Sequence, residues 1–155
     1  MTWSPASPIT GAAQTGFTSP TYTHVADTAP DVNGKQFAVT ATGGTQVGVT
    51  VHSVSSPFTL TFVRPKIFKS LGKPNPTTGV LAAFPRNVWK RITRKGVTVL
   101  AGQPIQTMLM TTIMEIPAGA DTADAPNVKA CISAHEGADW AQAAGLGDSV
   151  TSGVM

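Results

Sequence analysis

At 155 residues the chain is one domain's worth, long enough to bury a core and too short for two independent ones. Charged residues are only 12% and aromatics 6%, the formal net charge is +3, and the single cysteine, Cys131, excludes an intrachain disulfide framework and a cysteine-based zinc site, which makes folding inside the cell the expectation. A surface so poor in charge and so rich in small and hydroxyl residues is expected to be partly covered by another copy of the chain.

The first segment, residues 1–34, is broken by Pro5, Pro8, Pro20 and Pro30 and reads as an arm, with Ile9 to Ala12 and Thr21 to Val25 as short strands of a hairpin. The opening residues have neither a charged nor an apolar leader pattern, and no stretch approaches the roughly 20 apolar residues of a spanning helix. Export by a signal peptide and insertion in a membrane are therefore not expected.

Residues 36–117 read as an antiparallel sheet. Phe37 to Thr42, a turn at Gly43-Gly44, Val47 to Val54, a turn at Ser55-Ser56-Pro57, and Phe58 to Arg64 predict three strands in a meander, with alternate residues on opposite faces. Region 66–103 then combines a long Pro- and Gly-containing loop with a basic hairpin. In that hairpin Val88, Lys90 and Ile92 oppose Trp89, Arg91 and Thr93, and Lys95-Gly96 turns the chain into Val97 to Leu100. The strand Ile105 to Ile116 is apolar on both faces, as in a central or interface strand, and its methionines are filler for a core or interface.

In residues 121–155 the period changes. Asp121 or Asp124 caps a helix with Pro126 in its first turn, Val128, Cys131, Ile132 and His135 recur at helical spacing, and Gly137 is its expected stop. A weaker helix is expected over Asp139 to Ala144 or Asp148 to Ser152. Strands followed by helices is the α+β order.

Charge is distributed unevenly. Nine of the eleven basic residues lie between Arg64 and Lys95, a stretch without one Asp or Glu, and six of the eight acids follow from Glu115 to Asp148. A wholly cationic block implies an anionic partner, and Arg64, Lys66, Arg86, Lys90, Arg91, Arg94 and Lys95 are suited to neutralising phosphates without reading bases. No acid, base or metal constellation is recognisable, so an enzyme, a cofactor and a metal site are not expected. Cys131 and His135, four apart, have no orienting carboxylate in view and read as packing residues. Trp89 either stacks on a base or anchors the hairpin. Gly145-Leu146-Gly147-Asp148 lacks the preceding strand and the lysine of a phosphate loop.

The run Val49-Thr-Val-His-Ser-Val-Ser-Ser, then Phe58-Thr-Leu-Thr-Phe-Val-Arg-Pro-Lys66, a loop, a strand closing Met114-Glu-Ile-Pro117, and late helices resembles the coat proteins of single-stranded RNA bacteriophages, the leviviruses, over roughly residues 36–155. The resemblance implies an N-terminal β-hairpin, a five-stranded antiparallel sheet and two C-terminal helices that clasp the partner's sheet in an intertwined homodimer. It further implies an icosahedral shell with T=3 triangulation, assembled in the bacterial host cytoplasm and found in the virion, with genomic RNA on the inner sheet face and repression of translation through an RNA hairpin. Carried over residue by residue, the RNA face is Thr50, His52, Thr59, Thr61 and Thr111, with Thr50 and Thr59 matching the threonines of the family's adenine pockets. The chain departs from the family in having Thr61 where a lysine is usual and Leu109 and Ile113 where polar or aromatic residues are usual. On the residues alone, His52 reads more simply as a strand surface residue. A small dimeric RNA-binding regulator that forms no shell is the alternative reading.

Overall fold

The computed structural model describes residues 2–155. Among these, six strands form one antiparallel meander in the order β1 (Ile9–Thr10), β2 (Thr18–Asp27), β3 (Gly34–Thr45), β4 (Phe58–Val63), β5 (Arg86–Val97) and β6 (Gln106–Pro117). Three helices follow, α1 (Ala120–Ala123), α2 (Ala125–Ala141) and α3 (Ala143–Ser152). The α+β order is as expected, but the N-terminal hairpin β1–β2 is continuous with the main sheet, so there are six strands in it instead of a separate hairpin and five.

Register assigns the faces. Phe37 pairs Leu60, Leu60 pairs Thr93 and Thr93 pairs Met110, while Lys35, Phe62, Arg91 and Thr112 form the next row of the same face. Period-two alternation therefore gathers Phe37, Phe58, Leu60, Phe62 and Trp89 on one side of the sheet. There Phe62 stacks on Trp89 with ring centroids 5.5 Å apart, and Phe68 meets Trp89 edge-on at 5.7 Å. The arm closes this layer: the Trp3 ring lies 5.5 Å from Phe37 and 5.3 Å from Phe62. The arm is thus tied to the sheet through Trp3, whose indole covers two phenyl rings that would otherwise face water, while most of its other residues stay exposed. Trp3→Ala is expected to cost about 2 kcal/mol, the low side of Trp→Ala because the ring is only half-buried, which a denaturant titration of the full chain measures.

Three expected turns and strands are corrected. Val47 to Val54 is not a strand. Val47-Gly48 forms a turn with Gly48 at φ 82°, and the extended residues after it touch the sheet through His52 N–H donating to the Val39 carbonyl at 2.8 Å. Gly43-Gly44 is not a turn either: β3 continues through it and stays paired with β2, which approaches so closely that a Cβ on Gly43 would collide with the Thr21 hydroxyl. Finally, the basic hairpin does not form, because β5 runs unbroken through Lys95-Gly96. Gly96 is needed for proximity, since a Cβ there would lie 2.8 Å from Ser56 Cα and 2.9 Å from Ile105 Cγ2.

The helical region also differs from expectation. Pro126 does sit in the first turn of α2, but α2 passes Gly137, and α3 includes Gly145 and Gly147. Within this chain the helices touch the sheet and the loop between β1 and β2 at a few polar points. Arg91 pairs with Glu136, the Gln14 side-chain amide donates to the Ala143 carbonyl at 2.8 Å, and the Thr15 hydroxyl donates to Asp148 at 2.8 Å. None of the α2 residues is buried, and a cavity of about 510 Å³ separates α2 from the Thr112, Met114 and Ile116 side of β6.

The buried set is small. Val39 is fully enclosed, Ala38, Ala118 and Ala143 complete the apolar part, and six polar residues are buried beside them. By contrast Met108, Leu109, Met110 and Ile113 on β6 are 41%, 60%, 52% and 56% exposed, and β6 has one paired edge only. A 12-residue, largely apolar open edge is the feature that monomeric sheet proteins avoid.

Candidate nucleic-acid interface

The face opposite the aromatic layer carries Gln36, Thr59, Thr61, Val63, Val88, Ile92, Leu109, Thr111 and Ile113, together with Arg86, Lys90 and Arg94, by the same register. At the end of this face, where β4 leaves the sheet, a cleft of about 560 Å³ is lined by Arg64, Lys66, Lys69, Arg86, Lys90 and Arg94, with Asp31 the one acidic side chain in its wall. Among the described residues the only one of these cations with an acidic partner is Arg86, which lies 3.8 Å from Glu115 with both side chains exposed. Such an exposed pair is worth about 0–1 kcal/mol, so the cleft stays electropositive.

Strand alternation splits the basic block. Arg91 and Lys95, expected to act with the others, point to the aromatic face. Arg91 is held there by Glu136 and by Thr112, and Lys95 lies over the Phe58 ring, 5.0 Å from its centroid, while its ammonium donates to Thr50 Oγ1 at 2.9 Å and to the Gly96 carbonyl at 3.2 Å. Burial pushes the Lys95 ammonium pKa down. These two cations are engaged inside the subunit.

The hydroxyl residues separate in the same way. Thr111 is exposed on the cleft face opposite Ile92. Thr50 is exposed and tied to Ser56 and Lys95. His52 stands in for a missing strand: its N–H pairs Val39, and its Nδ1 accepts the Phe58 N–H at 3.0 Å. Thr59 and Thr61 are 3% and 2% exposed. The Thr59 hydroxyl has no partner among the described residues, whereas Thr61 donates to Gln36 Oε1 at 2.8 Å and accepts from Arg94 Nη1 at 3.1 Å.

Lys69 completes the cleft and had no signal of its own beyond membership of the basic run. Its backbone is fixed by Asn87, whose side chain accepts the Lys69 N–H at 2.8 Å and donates to the Lys69 carbonyl at 3.0 Å. Both groups of the buried amide are thereby satisfied, and the loop after β4 is held against the first residues of β5. Asp27, at the far end of the same sheet row, accepts the Gln36 amide at 2.6 Å and the Thr28 N–H at 2.8 Å. These bonds, the Gln36 one foremost, hold its carboxyl below the ordinary aspartate range.

The arrangement has no convergent acid, base and nucleophile, and no group of three or more metal-ligating side chains occurs among the described residues. What it offers is an array of cations on one side of an apolar-edged sheet, which suits a polyanion.

Comparison with solved structures finds a match over nearly the whole chain. A chain of the virus-like particle of bacteriophage ESE020 superposes with a TM-score of 0.96 and 56% sequence identity, covering 99% of this chain and 100% of that one. No family model matches, and no curated protein does.

Proposed function

We infer that this chain, which belongs to the family of the protein forming the virus-like particle of bacteriophage ESE020, is a bacteriophage capsid protein whose copies assemble into a closed shell. The single observation that carries this is the end-to-end match at 56% identity. The sparse buried set and the open apolar edge of β6 support the reading, since both describe a subunit that completes its burial in an assembly.

The finer reading is a single-stranded RNA phage coat protein of the levivirus kind. Two subunits join along β6 as a continuous sheet about a two-fold axis, and the cleft face lines the interior against genomic RNA. Arg64, Lys66, Lys69, Arg86, Lys90 and Arg94 neutralise phosphates, and exposed Thr111 contributes a hydroxyl toward the strand. Thr59 and Thr61 are enclosed within the subunit, so discrimination of one RNA hairpin through them is not part of this reading. Expression of the full chain followed by negative-stain electron microscopy is expected to show uniform closed shells. A population of dimers with no particles would favour a regulatory RNA-binding protein instead.

A further inference from the structure

Arg94 differs from the other cleft cations in being anchored from beneath. Its Nη1 donates to Thr61 Oγ1 at 3.1 Å, Thr61 donates to Gln36 Oε1 at 2.8 Å, and Gln36 Nε2 donates to Asp27 Oδ2 at 2.6 Å. Every donor in this series points the same way, from the guanidinium at one end to the carboxylate at the other. Such a chain is self-reinforcing, because each bond polarises the next. It crosses β2, β3, β4 and β5, and its two middle members are 9% and 2% exposed, so the geometry is fixed by packing.

The direction of the chain is not arbitrary. A buried glutamine amide has two orientations, and here the carboxylate of Asp27 and the Thr28 carbonyl both require its nitrogen. The amide oxygen is therefore presented to Thr61, which spends its proton there and keeps a lone pair free for Arg94. An arginine restrained through one Nη1–H retains its remaining donors for a ligand, and its planar fork matches two oxygens of a phosphodiester. Thr61 is too deeply buried to touch a base.

We propose that Thr61 is a positioning residue that, through the series Asp27–Gln36–Thr61 with its buried middle members, holds Arg94 as the pre-organised phosphate clamp of the basic cleft, the other cations there having no such anchor from within the sheet. This rests on the RNA-binding reading of the cleft. The fixed fork loses less side-chain freedom on binding than a free lysine or arginine would.

The test is a fluorescence-anisotropy titration of a labelled short oligouridylate with the full chain at several KCl concentrations. For T61V the expected result is about a tenfold loss of affinity, with a salt slope shallower by about 0.7 because one phosphate contact is lost. T61S, which keeps the hydroxyl, is expected to restore both, and T61V added to R94Q is expected to change neither further. An unchanged slope in T61V, a failure of T61S to rescue, or an undiminished T61V effect in the R94Q background would overturn the positioning role. Replacement of Arg86, Lys90 and Arg94 together without any loss of binding would instead overturn the RNA reading of the cleft itself.

Discussion

Met110→Asp is expected to abolish shell formation while leaving the subunit folded. Met110 is half-exposed on the aromatic face of β6, so the single chain tolerates a charge there with little loss. In a two-fold assembly along β6 the same position is covered in both copies. Burying a methionine contributes about 2 kcal/mol, and two-fold symmetry doubles the loss to about 4 kcal/mol, a shift of about a thousandfold in the pairing equilibrium. Two desolvated carboxylates add to this. Light scattering is expected to find subunits in place of particles, with unchanged circular dichroism. Particles of normal size from this variant would remove β6 from the interface.

The second large effect concerns charge. Replacing Arg86, Lys90 and Arg94 by glutamine keeps the sheet intact, since Arg86 and Lys90 are exposed and glutamine at 94 retains a donor for Thr61. Each cation lost from a charge-assisted contact costs about 1.5 kcal/mol, about 4.5 kcal/mol in all and a little over three decades in RNA affinity. The slope of binding against salt is expected to fall by about 2, at roughly 0.7 per phosphate on a single strand. Arg91 and Lys95, by contrast, face the other side of the sheet. Glutamine at those two positions is expected to leave the slope unchanged and to act on stability, through Glu136 for Arg91 and the Phe58 ring for Lys95. This contrast separates net charge from the placement of charge.

Much of this architecture was legible in the order of residues, and the failures share a cause. Phe58 to Val63 and the long strand β6 were readable because alternation there coincides with pairing on a neighbour. Val47 to Val54 alternates equally well and is not a strand, because alternation reports an extended chain and not a partner. Here the segment meets the edge of β3 through a single backbone bond, from His52 to Val39. The glycines misled for a related reason. Gly43, Gly44 and Gly96 read as turn residues, yet Gly43 and Gly96 lie inside strands where a neighbour leaves no room for a Cβ, and Gly44 has φ 73° beside the irregular pairing of β2. A crowding requirement leaves no mark that distinguishes it from a turn.

The candidate site was half visible. The cationic run and the opposition of Lys90 to Arg91 follow from composition and period two alone, and strand alternation then explains why only Arg86, Lys90 and Arg94 of β5 reach the cleft. The buried series beneath Arg94 was invisible. It depends on Asp27 meeting Gln36 and Gln36 meeting Thr61 across three strands, which are matters of register set by long-range pairing. For the same reason the burial of Thr59 and Thr61, which alternation alone offers to a ligand, left no mark in the order of residues.

The most direct test of the central claim is sedimentation of a ribonuclease-treated lysate from cells expressing the full chain, with RNA extracted from each fraction. The chain is predicted to run as one fast-sedimenting species carrying protected RNA. Recovery of the chain only at the top of the gradient, as small species without RNA, would contradict it.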